Sequence, residues 1–356
     1  MRSAKSIYVQ AADSLSYNSV AQFLAELKGP SAFYFQGRDP DRRCRIITTL
    51  LHANEPSGFN VLHKFIQDGF QPLADTYFVV ASVAAAQLEP TFSHRILPGE
   101  RDLNRCFRPP YQDFNGQLAK SIIDFIVSKH PELVIDMHNT SGNGPIFSVA
   151  TRYQQEHLAL GSFFSRWLVH TDIALGALME VPFACPIITV EAGGAHEPQA
   201  DFNAYNGLTS LLLSAQPFTQ QQSIDVLHQP IRFRLSADST LAYSDRPVFG
   251  VNVTLEQSIE NANFGVVDEN TRLGWTDLDG LDHFELHGCD TPIEQYFSAE
   301  SGELRPRQPM KLFMATTQAD IAKNDCIFYF VDTERHAHYK IASPPQQDHN
   351  ALSESY

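Results

Sequence analysis

Over the first 215 residues, short apolar runs alternate with amphipathic stretches. Residues 31–36 (SAFYFQ), 45–51 (RIITTLL), 76–83 (TYFVVASV), 132–137 (ELVIDM) and 186–190 (PIITV) are rich in branched and aromatic side chains. Runs of this length and composition predict buried strands. Between them lie helical patterns. Residues 59–68 put Val61, Leu62, Phe65 and Ile66 on one face. Residues 114–129 repeat Leu118, Ile122, Phe125 and Ile126 near the helical period and stop at His130-Pro131, where proline disfavours further helix. Residues 154–169 and 201–213 also read as helices. Strands alternating with helices predict an α/β sheet covered on both faces.

The pattern changes after Ser214. Residues 216–230 (QPFTQQQSIDVLHQP) are polar and proline-bounded, as in a linker. Short alternating runs follow at 231–235, 249–255, 310–315 and 326–331, separated by turn clusters such as DLDG at 277–280. The expected organisation is a catalytic α/β domain over 1–218, a β-rich C-terminal domain over 219–342 and a polar tail over 343–356.

Composition narrows the classes. A hydrophobic content of 43% excludes a mainly disordered chain. A formal charge of −15 repels phosphate backbones, so neither nucleic acid nor an anionic membrane is an expected partner. No apolar run is long enough for a transmembrane helix, and the first residues lack the apolar core of a signal peptide. The five cysteines are odd in number, scattered and without a CxxC pair, so free thiols in a reducing cytoplasm are expected. Homo-oligomerisation is left open.

Four segments carry candidate chemistry. His52 and Glu55 follow the strand 45–51, at the sheet edge where ligands collect in α/β proteins. His138 ends the run 132–137, with Asp136 two residues before it as a candidate orienting group and Asn139 and Thr140 after it. Two histidines and a glutamate, each after a strand, make a common zinc set with an open position. Glu191 leaves the apolar run 186–190 beside Gly193 and Gly194, which suits a general base next to a metal. The segment Arg101-Asp102-Leu103-Asn104-Arg105, with Arg95 upstream, offers guanidinium forks for a carboxylate.

Taken in order, H-x-N-E, D-L-N-R-x-F, D-x-H-N-T and T-x-E resemble the succinylglutamate desuccinylase/aspartoacylase family, a branch of the zinc carboxypeptidase superfamily. The resemblance covers about residues 30–215. It implies a zinc-carboxypeptidase-like mixed sheet flanked by helices, with the smaller β-rich domain behind it. It implies one Zn2+ per chain on His52, Glu55 and His138, with Glu191 as the catalytic glutamate. Asn104 and Arg105 match the pair that grips a substrate carboxylate, and Asn139 and Thr140 are expected in the pocket. Arg95 matches an arginine that polarises the scissile carbonyl, with Arg101 as its substitute. Ala53 stands where many members carry glycine.

The implied activity is zinc-dependent hydrolysis of an amide in a small anionic substrate such as an N-acyl amino acid. The competing readings are a carboxypeptidase acting on peptide C-termini and a binding relative that has lost catalysis. A tyrosine from the C-terminal domain is a candidate for the site, with Tyr243, Tyr296 and Tyr329 equally eligible. His63 is expected to pack, and His94 and His196 are candidates for supporting roles. His336 and His338 are expected on an exposed strand.

Overall fold

A computed structural model describes residues 7–340 apart from Pro40, Arg42, Ile173 and His196. His196 and the expected tail 343–356 therefore lie outside the described residues. The chain runs β1 (Tyr8–Ala11), α1 (Val20–Glu26), β2 (Ser31–Phe35), β3 (Arg45–Thr49), α2 (Ser57–Asp68), β4 (Thr76–Val80) and α3 (Val83–Ala86). It continues with α4 (Phe114–Lys129), β5 (Leu133–Thr140), β6 (Phe147–Ala150), α5 (Gln155–Ser162), β7 (Trp167–His170), β8 (Ile187–Gly194), α6 (Pro198–Leu213) and β9 (Ile224–His228). These nine strands and the strand His336–Tyr339 form one ten-stranded mixed sheet, ordered β1-β2-β4-β3-β5-β8-β6-β7-β9 and then His336–Tyr339. This is the α/β class that the strand and helix pattern predicts.

Four central neighbours, β4, β3, β5 and β8, are mutually parallel. Parallel strands are buried on both faces, which is why their sequences are nearly continuous apolar runs. Ile47, Ile135, Ile188 and Val190 face one core, closed by α2 and α6. Ile46, Val134 and Ile187 face the other, closed by α4. From β3 the chain steps to β4 on one side and later returns to β5 on the other. The carboxyl edge between β3 and β5 is therefore a topological switch point, where α/β sheets leave a crevice.

Two predicted elements differ. The expected helix 154–169 is α5 followed by β7. The helix ends at Ser162. Ser165 then turns the chain by accepting the Trp167 N–H through its hydroxyl, and Trp-Leu-Val continues as a parallel strand beside β6. The expected linker 216–230 contains β9, because Ile224 and Val226 alternate into the core. Its buried Asp225 is held by Arg166 and His338.

Beyond β9, two five-stranded sheets share a core built on Phe233, Phe297, Phe328 and Phe330. This β module is tied at both ends to the large sheet, by β9 at its start and by His336–Tyr339 pairing antiparallel to β9 at its end. His336 and His338 both lie against Asp225. The module packs on β6, β7 and β9 through Phe264, Phe313 and Val331 against Phe147, Val169 and Leu227. One face of the sheet is thus covered by α4 at one end and by the β module at the other, with the site between them.

Arg45 anchors the opposite end of β3. It is fully buried, pairs with Glu132 at 2.5 Å and donates to the Leu211 and Ser214 carbonyls at the end of α6. Removing one member of a buried pair strands the other. Arg45→Ala should therefore cost about 3–5 kcal/mol, read as a lowered midpoint in equilibrium urea unfolding. An unchanged midpoint would count against this role.

Candidate active site

β3 leaves the sheet at Leu50, a non-glycine residue at φ 54°, and turns His52 and Glu55 back over its own end. The turn closes with the Glu55 N–H donating to the His52 carbonyl at 3.2 Å. Ala53 is buried, and its N–H donates to the Arg95 carbonyl at 2.9 Å, which brings the Arg95 loop against the turn. α2 begins directly after, with Gly58 packed on Thr49 and Met137, where a Cβ would come within 2.5 Å of the Thr49 hydroxyl. Only glycine lets this helix approach so closely, and the approach fixes Glu55.

β5 and β8 run in register, pairing Asp136 with Thr189 and His138 with Glu191. Side chains two apart on a strand share a face, so Asp136 lies directly behind His138. His138 Nε2 is 2.9 Å from Asp136 Oδ2, and Thr48 donates to Asp136 Oδ1. His138 Nδ1 is 2.6 Å from Glu55 Oε2, and His52 Nδ1 is 2.9 Å from Glu55 Oε1. His52 Nε2 is 3.1 Å from Asp102 Oδ1. Both imidazoles thus turn Nδ1 toward Glu55 while a carboxylate stands at each Nε2.

His52, Glu55 and His138 are all buried, and their ligating atoms lie within 4.8 Å of one another. Two imidazoles, one carboxylate and two orienting aspartates form the donor set expected of a catalytic metal site. The residues present therefore fit a divalent ion such as zinc. Among the described residues, one other His/Asp group is compact enough, Asp277, Asp279 and His283, and its two aspartates are exposed.

The electrostatics follow from this packing. Burial pushes the Glu55 carboxyl up, but the two imidazoles pull it well below the usual range. Burial disfavours a charged His138, yet Asp136 and Glu55 raise it well above an ordinary histidine. Asp102 is likewise held low by His52 and Arg95 against its burial. Glu191 differs. Its Oε2 is sealed from solvent and has no hydrogen-bond partner among the described residues. Burial, helped by the Glu55 charge and opposed by His138, His52 and Arg95, pushes it up to about 7.

A folded-state value above the unfolded one gives stability that is lost as pH rises through the folded value. The metal-free protein should therefore lose melting temperature between about pH 5 and 8, and Glu191→Gln should lose less. Parallel pH profiles for the two proteins would contradict this environment for Glu191.

One cavity of about 150 Å³ is lined by His52, Glu55, His138, Glu191, Arg95 and Asn104, and also by Arg105, Asn139 and Thr140. All nine candidate residues thus come together. Arg95 forks onto Asp102 at 3.2 and 3.1 Å and reaches Glu55 Oε1 with Nη1 at 3.3 Å. Arg101, its substitute, is paired with Asp113 at the surface and does not line the cavity. Asn104 accepts the Leu178 N–H through Oδ1. Arg105 donates to the Asn104 carbonyl and makes no ion pair among the described residues. Asn139 accepts the Ser57 N–H and donates to Ser57 Oγ and the Gly193 carbonyl, so its amide joins α2 to β8. Thr140 donates to the Gly142 carbonyl.

A sequence model described as the succinylglutamate desuccinylase/aspartoacylase catalytic domain matches residues 45–201. The match spans β3 to the start of α6 and so contains all nine residues. Over these residues the chain is similar to the catalytic domain of the succinylglutamate desuccinylase/aspartoacylase family. Solved structures share its fold. A succinylglutamate desuccinylase from Vibrio parahaemolyticus is 14% identical, with 91% of this chain and 99% of that one covered at a TM-score of 0.55. A Shewanella frigidimarina protein described as a succinylglutamate desuccinylase/aspartoacylase is 10% identical, covering 88% and 94% at 0.56. Murine aminoacylase 3 is 14% identical, covering 86% and 98% at 0.50. At these identities the likeness is one of fold. No curated protein matches the chain at a significant level.

Several residues around this site were not legible as such. Asp102 stood inside the arginine motif, yet its partner His52 is fifty residues away. Ser57 is held by Asp201 at 2.7 Å, which joins α2 to α6 behind Asn139. Asp325 and Tyr329 line the cavity from the β module, and this selects Tyr329 from the three tyrosines considered. Tyr243 and Tyr296 belong to the module's own core. His63 packs in α2 with Nε2 3.3 Å from the Tyr17 carbonyl. His94 sits by Ser93 and does not line the cavity.

Proposed function

We propose that the protein is a zinc-dependent deacylase, with one ion on His52, Glu55 and His138, that hydrolyses the amide of a small carboxylate-bearing substrate such as an N-acyl amino acid. One observation carries this reading: a single small cavity joins a two-histidine, one-glutamate donor set to a carboxylate whose Oε2 has no partner and an arginine without an ion pair among the described residues. The family's catalytic-domain match and the naming of a desuccinylase and an aminoacylase among its structural neighbours support it.

A divalent ion at this site supplies Lewis acidity and makes water a nucleophile at neutral pH. The chain's own residues do the rest. Glu191 takes the proton at Oε2 and returns it to the leaving amine, acting as general base and then general acid. Arg105, with the Asn104 amide beside it, holds the substrate carboxylate by a charge-assisted fork. Arg95, anchored by Asp102, donates to the oxygen on which charge develops. Asn139 and Thr140 act by holding the backbone of the site.

The β module over the cavity favours a small amide over a peptide in an open groove. The test is release of free amine by the zinc-loaded protein from N-acyl amino acids and from short unblocked peptides. The reading predicts turnover of N-acyl amino acids. Cleavage of peptides alone would replace it with a carboxypeptidase.

A further inference from the structure

From Glu191 the cavity continues along the sheet toward the β module. Phe147 pairs with Glu191 and Val149 with Thr189 across β6 and β8, and Val169 pairs with Val149 across β6 and β7. Cross-strand partners share a face, so these side chains form one apolar floor beside Glu191. Phe313 and Met314 of the β module close it from above, and Met179 closes it from the loop that carries Leu178 onto Asn104.

The charges lining this space are equally particular. Among the described lining residues, only Arg95 and Arg105 are cations outside the histidines. Arg95 is committed to Asp102 and Glu55. With Arg95 also serving the scissile oxygen in the proposed reaction, Arg105 is the lining cation left for a substrate carboxylate. The remaining charged lining groups are the carboxylates Glu55, Glu191 and Asp325, the last paired with Arg232. A substrate with a second carboxylate would place it against an apolar wall or against one of these acids. An unpaired carboxylate in such surroundings is strongly disfavoured.

We infer that the substrate is a monoanionic N-acyl amino acid, with its one carboxylate on Arg105 and an apolar substituent seated against Phe147, Val149, Val169, Met179, Phe313 and Met314. This rests on the deacylase reading above and names its substrate class. It separates this chain from the polycarboxylate amides that the family name describes, because the described lining offers no further cation for their extra charges.

The test compares kcat/KM of the zinc-loaded protein on four amides by release of free amine. N-acetyl-leucine and N-hexanoylglycine carry one carboxylate, with the apolar group on the amino acid or the acyl side. N-acetylaspartate and N-succinylglutamate carry two and three. The better apolar amide should exceed both acidic ones on the order of 100-fold. Val149→Arg, which places a cation on the half-buried floor, should narrow that ratio about 10-fold or more. Met179→Lys provides the same reading should Val149→Arg fail to fold. If the acidic amides are cleaved as well as or better than the apolar ones, deacylation stands and this inference is overturned. If none of the four is cleaved, the deacylase reading itself falls and takes the inference with it. A folded variant that leaves the ratio unchanged overturns the placement of the apolar group.

Discussion

Glu191→Gln protein retains its bound metal and its fold but loses about 10²- to 10⁴-fold in kcat on an N-acyl amino acid. The expectation rests on what the substitution leaves intact. Gln has the same shape, and among the described residues Glu191 makes no hydrogen bond through Oε2 that the amide would break. The candidate metal donors His52, Glu55 and His138 are untouched. Only the ability to accept a proton at that atom is removed. Metal content by elemental analysis and kcat by amine release separate the two effects. Full activity in this variant would remove Glu191 from the chemistry, and loss of metal would make it a ligand instead.

The second large effect concerns the donor set. His138→Ala should bind no stoichiometric zinc and show no turnover, because the remaining His52 and Glu55 leave too few ligands. Asp136→Asn makes the subtler case. Asp136 touches no substrate-facing space, but its Oδ2 fixes the His138 ring through Nε2. Losing such an orienting carboxylate should weaken metal affinity by about 10- to 100-fold, with kcat at saturating zinc much less affected. Competition against a chelating indicator reads the affinity directly. An Asp136→Asn protein with unchanged zinc affinity would show that the ring is held by packing alone.

The candidate site was legible because each of its parts is local. His52 and Glu55 follow β3, His138 ends β5 and Glu191 ends the apolar part of β8, so a strand prediction carries each one to the same sheet edge. Register then does what spacing cannot. It pairs His138 with Glu191 and sets Asp136 beside Thr48. The central parallel strands and α4 were legible for the same reason, since buried parallel strands and a regular helix leave periodic signatures.

Elements at the sheet's other end were not. Residues 154–169 contain enough apolar residues to imitate one helix, and only the Gly161-Ser162 end and the pairing of β7 between β6 and β9 divide them. The glutamines before Ile224 masked β9 as a linker. The apolar floor and the roof from Phe313, Met314 and Tyr329 depend on contacts between residues more than a hundred positions apart. No local pattern encodes them.

The central claim is that hydrolysis of a small amide depends on a metal held by His52, Glu55 and His138. The most direct test is amine release from a panel of N-acyl amino acids by protein stripped with a chelator and then titrated with zinc. The account predicts no turnover in the stripped protein and recovery that saturates at one zinc per chain. Turnover by the stripped protein equal to that of the zinc-restored protein would contradict it.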